Sequence, residues 1–432
     1  MSTAAAPRRE GLAAYIAVTA AYWAFMLTDG ALRMLVLLHF HTLGFTAIQL
    51  AYLFLLYEFM GIVTNLSAGW IAARFGLTST LYAGLFLQIL ALVALTQLDP
   101  SWQIAVSVAF VMAVQGVSGV AKDLAKMSSK SAVKLLAPSE DKGALFRWVA
   151  VLTGSKNAVK GVGFLIGAAL LATIGFVGAV AAMAAALAAI LIAVALLMPA
   201  GLPTGRKDAR FREVFSKDPN VNRLSAARVF LFGARDTWFV VGIPVYFYSV
   251  LSDGTVAGNH AAFFQIGTFM AVWIIGYGFV QAAAPRLLRA RDRSLSDIVG
   301  MARTWVGILT VIPALLALAA FLGNGDAPDP APWLTATVVA GLLVFGVVFA
   351  LNSSLHSYLI LAFTKASRVT MDVGFYYMSN AAGRLAGTLL SGVSYQFGGL
   401  TLCLATAALM SALSWVCAER LKRSAGPIAS HA

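Results

Sequence analysis

Residues 175–198 read GFVGAVAAMAAALAAILIAVALLM, a run of 24 residues without a charged side chain. A helix of about 20 apolar residues crosses the hydrocarbon core of a bilayer, so this stretch predicts a membrane-spanning helix. Of the 432 residues, 60% are apolar and 11% are charged, whereas soluble domains carry roughly 25% charged residues. The composition therefore excludes a soluble globular protein, a coiled coil and a disordered chain.

Eleven further apolar runs are long enough to cross a bilayer. With the first they predict twelve spans, at about 12–40, 48–73, 79–98, 102–121, 145–172, 175–198, 222–250, 261–284, 297–322, 333–362, 370–396 and 399–418. The run at 12–40 exceeds the 7–15 apolar residues of a signal peptide, so we expect it to remain as a helix. Cys403 and Cys417 lie about 21 Å apart along one helix, which excludes a disulfide between them.

Lysine and arginine occupy only every second connection between these spans. The connections at 39–47, 97–100, 251–260, 323–332 and 397–399 and the turn at Gly175 contain none. The opposite set holds Arg74, Lys122 to Lys142, Arg206 to Lys217, Arg286 to Arg293, Lys365 with Arg368, and Arg420 to Arg423. Positively charged loops stay on the cytoplasmic side. Both termini are therefore predicted to be cytoplasmic, in a multi-pass membrane protein.

The polar stretch 199–221 separates six spans from six. We therefore expect an N-terminal six-helix bundle at 1–198, a cytoplasmic linker at 199–221 and a C-terminal bundle at 222–432. Weak internal repeats support the two halves. Phe25, Asp29 and His39-Phe40 match Phe232, Asp236 and Tyr246-Phe247 at an offset of 207, and Ser155, Lys160 and Gly163 match Ser379, Arg384 and Gly387 at an offset of 224.

This organisation resembles the major facilitator superfamily, whose two halves are parallel six-helix repeats about an axis along the membrane normal. The stretch Gly69-Trp-Ile-Ala-Ala-Arg-Phe-Gly76 is similar to the signature that follows the second helix of that superfamily, with Ala73 near the place of its usual acidic residue. The resemblance implies an all-α fold of twelve transmembrane helices in two pseudo-symmetric halves.

Eight ionisable side chains lie deep inside the predicted spans: the bases Arg33, Lys156, Lys160, Arg235 and Arg384, and the acids Asp29, Glu58 and Asp236. Unpaired in lipid, the set would cost about 24 kcal/mol at 2.5–3.5 kcal/mol each, so these groups must pair or face water. Pairing leaves two positive charges over, which predicts a midplane cavity that binds an anion. The alternative is that some bases reach water at the cytoplasmic ends, as we expect of Arg147 and Arg228.

Lys156 and Lys160 share one helix face. Their mutual repulsion favours an anionic ligand between them, although acids on other helices are an alternative. Asp29 and Arg33 have the i, i+4 spacing of an ion pair; either they neutralise each other, or Arg33 contacts substrate while Asp29 carries a proton. Glu58 either carries a proton or pairs with a base. The sequence leaves the pairing of Arg235 and Asp236 open.

From these patterns we assign roles to two sets of residues. Substrate binding is expected of Arg33, Lys126, Lys156, Lys160, Arg235, Asn380 and Arg384. Polar cavity lining is expected of Tyr57, Asn65, Asn157, Asn352, His356 and Tyr376, the alternative being hydrogen bonds between helices. Lys126 belongs to the series Lys122, Lys126, Lys130 and Lys134, which forms either the cytoplasmic end of span four or a cationic entrance for anions.

Four stretches resemble the ArsJ organoarsenical efflux permeases of the superfamily: Leu27 to His41, Tyr57 to Asn65, Lys122 to Ser131 and Leu152 to Gly161. The C-terminal half agrees mainly in topology and at Arg235 to Trp238. The resemblance implies export of 1-arseno-3-phosphoglycerate, an ester that a partner glyceraldehyde-3-phosphate dehydrogenase makes from arsenate, and hence arsenate resistance. A cationic, hydrogen-bonding cavity suits its phosphate and arsenate groups, and two dispersed cysteines offer no thiolate cluster for trivalent arsenic.

The sequence contains no Walker-A loop, no metal-spaced His/Cys cluster and no paired acidic motif of a membrane transferase. We therefore expect a secondary transporter rather than an enzyme, with no cofactor, metal or nucleic-acid partner. It is expected to act as a monomer in the bilayer, which the resemblance to the ArsJ permeases implies is a bacterial inner membrane. Coupling to protons is a hypothesis that Asp29 and Glu58 motivate. The alternative is a transporter of another organic anion, such as an organophosphate or a drug. A membrane enzyme or sensor is a third reading.

Overall fold

The computed structural model describes residues 5–136, 142–198, 216, 218–289, 293–327, 329–364 and 369–421. Within these ranges the regular structure is helical throughout. The elements are α1 (Ala5–Thr42), α2 (Ala47–Leu95), α3 (Ile104–Leu136), α4 (Lys142–Leu197), α5 (Pro219–Thr237), a π-helix (Trp238–Gly242), α6 (Ile243–Leu251), α7 (Val256–Leu287), α8 (Leu295–Leu322), α9 (Pro332–Phe363) and α10 (Val369–Glu419).

Three of these helices contain a glycine break at the place of a predicted turn. The backbone leaves helical geometry at Gly76 in α2, at Gly175 in α4 and at Gly398-Gly399 in α10. Gly76, Gly175 and Gly399 have φ of 74°, 71° and 51° with ψ of −177°, 179° and −147°, a conformation that costs other residues about 1–3 kcal/mol. Glycine therefore lets the chain turn between two spans almost without a loop.

The described residues contain ten candidate membrane spans, against the twelve that the sequence predicts. Two of them, Ser155–Leu197 and Asp372–Glu419, are 43 and 48 residues long. Such helices would measure roughly 65 and 72 Å, twice the thickness of a hydrocarbon core of about 30 Å. Both contain a glycine break, at Gly175 and Gly398-Gly399, so each crosses the membrane twice and the count of twelve is recovered.

Several helices begin at a conventional N-terminal cap. Asp218 accepts hydrogen bonds from the amides of Asn220 and Val221, with Pro219 in the first turn of α5. Thr255 accepts from the amide of Gly258 at the start of α7. Such caps satisfy amides that lack a partner inside the helix, and they place the helix starts at the polar connections between spans.

The described chain divides into two compact units. Unit 1 comprises Met1–Phe40, Ser67–Phe211 and Phe263–Ile275, and unit 2 comprises His41–Leu66, Arg212–Ala262 and Gly276–Ala432. The domain boundaries expected from the sequence, at 198 and 222, remain a prediction.

In unit 1, α1 and α4 pack backbone to backbone. A Cβ on Gly163 would meet the Leu27 carbonyl, and one on Gly167 would meet the Ala31 carbonyl. Since both residue numbers rise together along this contact, the two helices run in the same direction. Small residues permit such close approach in membranes, and Gly163 and Gly167 serve this packing contact.

In unit 2, α5 and α10 pack in the same way. A Cβ on Gly387 would lie 2.6 Å from the Gly233 carbonyl oxygen, and one on Gly383 would meet the Val229 carbonyl. The π-helix that follows α5 releases amides from the regular ladder, and those of Val241 and Gly242 donate to Ser391 Oγ at 3.1 Å each.

The two cysteines of α10 differ in burial. Cys403 is fully buried, and its thiol donates to the Thr237 carbonyl at 3.1 Å. Cys417 is half-buried, and both thiols are free, as the sequence predicts. Cys403 therefore serves to hold α10 against the end of α5.

Candidate functional site

The close contact between α1 and α4 brings a buried ion pair together in unit 1. Lys160 Nζ lies 2.7 Å from Asp29 Oδ2, and the side chains are 17% and 2% exposed. A Cβ on Gly30 would lie only 2.5 Å from the Lys160 carbonyl oxygen. The glycine-lined helix contact therefore sets the distance between these two charges.

Two further bases flank this pair along the helix axes. Arg33 lies one helical turn after Asp29 on α1, and Lys156 lies one turn before Lys160 on α4. Because α1 and α4 run in the same direction, the two bases lie on opposite sides of the Asp29–Lys160 pair. We call Asp29, Arg33, Lys156 and Lys160 the unit-1 cluster; it contains three bases and one carboxylate.

The neighbours of the unit-1 cluster on α4 are polar. Ser155 Oγ accepts a hydrogen bond of 3.1 Å from Trp23 Nε1. Asn157, one of the predicted lining residues, is half-buried beside Lys156. This part of unit 1 thus combines several basic side chains with neutral hydrogen-bonding groups.

Unit 2 contains a second cluster whose charges balance. Arg384 Nη2 lies 2.5 Å from Glu58 Oε1, and Arg384 Nε lies 3.6 Å from Asp236 Oδ2. Arg235 Nε donates to Asp236 Oδ1 at 2.6 Å, and both carboxylates are fully buried. We call Glu58, Arg235, Asp236 and Arg384 the unit-2 cluster. Of the alternatives for Glu58, the structure shows the ion pair.

The two clusters reflect the repeats found in the sequence. Asp29 and Asp236 are related by the offset of 207, and Lys160 and Arg384 by the offset of 224. In each unit these partners form an ion pair. The three acids form ion pairs with Lys160, Arg235 and Arg384. The other two deep bases, Arg33 and Lys156, lie beside the Asp29–Lys160 pair in unit 1.

Lys126 lies in a third pair within unit 1. Its Nζ is 2.6 Å from Asp123 Oδ1, and the Asp123 carboxylate is fully buried. Lys122 is also buried. These contacts make this part of the lysine series an internal feature of α3; the side chains of Lys130 and Lys134 lie outside the described residues.

Two of the predicted lining residues lie on α2. Tyr57 is buried beside Glu58. Asn65 is buried too, and its Nδ2 donates to the Gly61 carbonyl of the same helix at 2.6 Å. The Nδ2 donor of the Asn65 side chain therefore has its hydrogen-bond partner within α2 itself.

The expectation that Arg228 reaches water is wrong. Its side chain is 4% exposed, and its Nη1 donates to the carbonyl and the Oγ of Ser353 at 3.2 and 3.0 Å. Its guanidinium lies over the rings of Phe232, at 4.1 Å, and Tyr376, at 4.9 Å. α5 begins at Pro219, before the predicted start of the span, so Arg228 lies deeper than expected. The side chain of Arg147 lies outside the described residues.

The remaining predicted lining residues lie on α9 and α10 of unit 2. Asn352 and His356 are fully buried, Tyr376 is buried, and Asn380 is half-buried. Arg228 lies over the Tyr376 ring and donates to Ser353, the neighbour of Asn352 on α9. Neither Arg228 nor Ser353 is among the predicted lining residues. An arginine nine residues inside a helix, beside an aromatic residue four positions on, was the available signal.

No group of three or more histidine, cysteine, aspartate or glutamate side chains in the described ranges could hold a metal ion.

Comparisons with known proteins identify a family and a fold. The family model of the Major Facilitator Superfamily matches residues 14–359. A crystal structure of a POT family transporter in complex with a thioalcohol-conjugated peptide is similar in fold, with a TM-score of 0.67, 13% sequence identity, and coverage of 93% of this chain and 94% of that chain. The search of curated proteins found no match.

Proposed function

Because the chain belongs to the major facilitator superfamily, it is a secondary transporter, and we propose that it exports the anionic ester 1-arseno-3-phosphoglycerate from the cytoplasm. The fold, with its apolar helices and paired charges, is that of a multi-pass membrane transporter rather than an enzyme. The substrate, the direction and the resulting arsenate resistance rest on the cluster of charges in unit 1 and on the resemblance of four stretches of sequence to the ArsJ permeases.

The observation that carries the proposal is the grouping of three basic side chains, Arg33, Lys156 and Lys160, in the unit-1 cluster. In the unit-2 cluster two guanidinium groups contact two carboxylates, whereas the unit-1 cluster groups three bases with one carboxylate. Arg33 and Lys156 flank the Asp29–Lys160 pair on opposite sides, separated by roughly 12 Å along the helix axes at 1.5 Å per residue. An elongated substrate with an anionic group at each end fits such an arrangement, since charge-assisted hydrogen bonds to lysine and arginine are the strong ones.

We infer coupling to protons because the anionic substrate and Asp29 would compete for the same base, Lys160. Asp29 neutralises Lys160 at 2.7 Å, and an anionic substrate near Lys160 would compete with that carboxylate. Displacement would favour uptake of a proton by Asp29, which links substrate occupancy to a proton. The same reasoning applies to Glu58 and Arg384. Binding and release on opposite sides of the membrane would then follow by alternating access.

Transport into everted vesicles tests the proposal directly. Vesicles whose cytoplasmic face points outward should accumulate the synthesised ester when they contain the wild-type protein. Lys156→Gln and Lys160→Gln should each abolish accumulation while inserting normally, and Arg286→Gln, at an exposed arginine of α7, should transport like the wild type. Wild-type transport by the Lys156→Gln/Lys160→Gln double variant would remove both lysines from the site. If collapse of the pH gradient leaves transport unchanged, the proton coupling is wrong.

Growth on arsenate separates this substrate from the second candidate, another organic anion. The unit-1 cluster would serve an organophosphate or an anionic drug by the same charges, so the structure alone favours the class of anion rather than the ester. Resistance should appear only in cells that also express the glyceraldehyde-3-phosphate dehydrogenase. Resistance without the dehydrogenase would count against the ester.

A further inference from the structure

Unit 2 contains a buried cation outside both charge clusters. Arg228 lies on α5 with 4% of its side chain exposed, and in the part of the chain that the structure describes no carboxylate lies within ion-pair distance of it. Its Nη1 is bonded to Ser353, but its Nε has no hydrogen-bond partner. A buried guanidinium without a counter-charge is costly in a membrane protein.

The surroundings of Arg228 are rich in polar atoms that also lack partners. Both amide atoms of Asn352 and both ring nitrogens of His356 are fully buried and make no hydrogen bond. The two residues share one face of α9, and Ser353, which binds Arg228, lies between them in sequence. Buried polar groups are nearly always satisfied. The Asn352 Nδ2 amide and the one N–H of a neutral His356 are orphan donors near a buried cation, and together they indicate a common ligand that accepts hydrogen bonds.

We propose that Arg228, Asn352, Ser353 and His356 form a binding site for a small monovalent anion, with chloride as the ligand. One guanidinium supplies one unit of charge, and the other donors are neutral, which favours a monovalent ion over a phosphate. The faces of Phe232 and Tyr376 cover the guanidinium and limit the ligand to a small ion without attached hydration. The ion would join α5, which carries Arg228, to α9, which carries the other three residues.

This site differs in charge and place from the proposed substrate site. The unit-1 cluster offers several bases to a multiply charged molecule, whereas the Arg228 site lies within unit 2 and is balanced by one ion. The anion would therefore act on the stability of unit 2, and its binding is measurable without any transported substrate.

Thermal unfolding of the purified full-length protein tests the proposal. Sodium gluconate is replaced stepwise by sodium chloride or sodium bromide at constant ionic strength, and unfolding is followed by tryptophan fluorescence. Because a ligand of the native state stabilises it by an amount that grows with ligand concentration, Tm should rise by about 3 °C or more and then saturate. Equal Tm values in gluconate and in halide would overturn the proposal.

Two substitutions locate the effect. Arg228→Gln should remove the halide dependence of Tm. Arg303→Gln, in the same unit, should retain it, because Arg303 already has Glu419 and the carbonyls of Ala418 and Leu421 as partners. A halide response in Arg228→Gln equal to that of the wild type would place the ion elsewhere and overturn the site.

Asn352→Asp keeps the proposal testable if Arg228→Gln does not fold. The new carboxylate would supply the counter-charge of Arg228 from within the protein. The variant should therefore have the same Tm in gluconate and in chloride, and that Tm should be at least as high as the wild type reaches in gluconate. A chloride response like that of the wild type would contradict the proposal.

Discussion

The Asp29–Lys160 pair illustrates how a single buried charge depends on its partner. The Asp29 side chain is 2% exposed and Lys160 Nζ is 2.7 Å away. Removing one member of a buried pair leaves the other as an uncompensated charge, which costs more than the pair itself contributes. Effects on stability can therefore be separated from effects on transport by comparing a single replacement with the replacement of both residues.

We predict that Asp29→Asn destabilises the protein by about 3 kcal/mol and abolishes transport, because Lys160 loses its counter-charge. The double variant Asp29→Leu/Lys160→Met, which buries apolar side chains instead, should recover the stability but not the transport. Unfolding in detergent and vesicle transport measure the two properties. Transport at the wild-type rate by the double variant would show that this pair is structural only.

In the unit-2 cluster the two carboxylates differ in the guanidinium groups that they contact. Asp236 is shared by Arg235 and Arg384, whereas Glu58 contacts Arg384. Asp236→Asn should therefore lower Tm more than Glu58→Gln, since two guanidinium groups lose a counter-charge instead of one. The comparison is made at equal pH and salt in the same detergent. A larger loss for Glu58→Gln would show that the Asp236 contacts are weak.

At this scale the sequence predicts which charges are buried but not how they pair. Their number and sign follow from counting residues inside apolar runs, and the offsets of 207 and 224 anticipate the equivalence of Asp29–Lys160 and Asp236–Arg384. The partners depend on which helices touch, which no local pattern shows. Arg228 was misjudged for the same reason: position along a span does not show whether Phe232, Ser353 and Tyr376 cover a side chain.

At the scale of elements, glycine determines both turns and contacts. Gly175 has positive φ and no atom within 4 Å of its Cβ position, whereas Gly167 is helical and its Cβ would meet the Ala31 backbone. The first glycine is required by backbone conformation and the second by close helix packing. The sequence predicts the glycine turn better than the glycine contact, because the turn divides an apolar run that is too long for one span.

We predict that Gly167→Ala lowers Tm, because α1 and α4 must move apart at a cost of about 1–3 kcal/mol and the Asp29–Lys160 pair is strained with them. Gly276→Ala in α7 is the matched control, since nothing lies within 4 Å of its Cβ position. Alanine is the better helix former by about 1 kcal/mol, so this variant should be as stable as the wild type or more so. Equal effects of both substitutions would contradict the packing role of Gly167.

The π-helix at Trp238–Gly242 is an element that the apolar pattern does not predict. Its existence depends on Ser391 of α10, whose Oγ accepts from the amides of Val241 and Gly242, and on the Cys403 thiol at the Thr237 carbonyl. These partners are about 150 residues away in sequence. The local sequence shows an ordinary apolar span, and the distortion arises from tertiary contacts immediately after Asp236.

At the scale of the whole molecule, composition and charge distribution predict more than any motif does. The apolar runs give the number of crossings once the glycine breaks are taken into account, and the lysine and arginine asymmetry gives their orientation. The connection at 252–255 separates α6 from α7 and carries no base, whereas α7 ends at the basic stretch from Arg286. The two ends of α7 are therefore predicted to lie on opposite sides of the membrane.

Labelling of single cysteines tests this orientation on one helix. Asp253 and Arg286 are exposed at the two ends of α7. In a Cys417→Ser background, with Cys403 buried, a membrane-impermeant maleimide added to spheroplasts should label Asp253→Cys but not Arg286→Cys, because basic connections face the cytoplasm. Permeabilised cells should show both labelled. The reverse pattern would invert the topology, and hence the direction of the proposed export; labelling of both sites in intact spheroplasts would show that α7 does not cross the membrane.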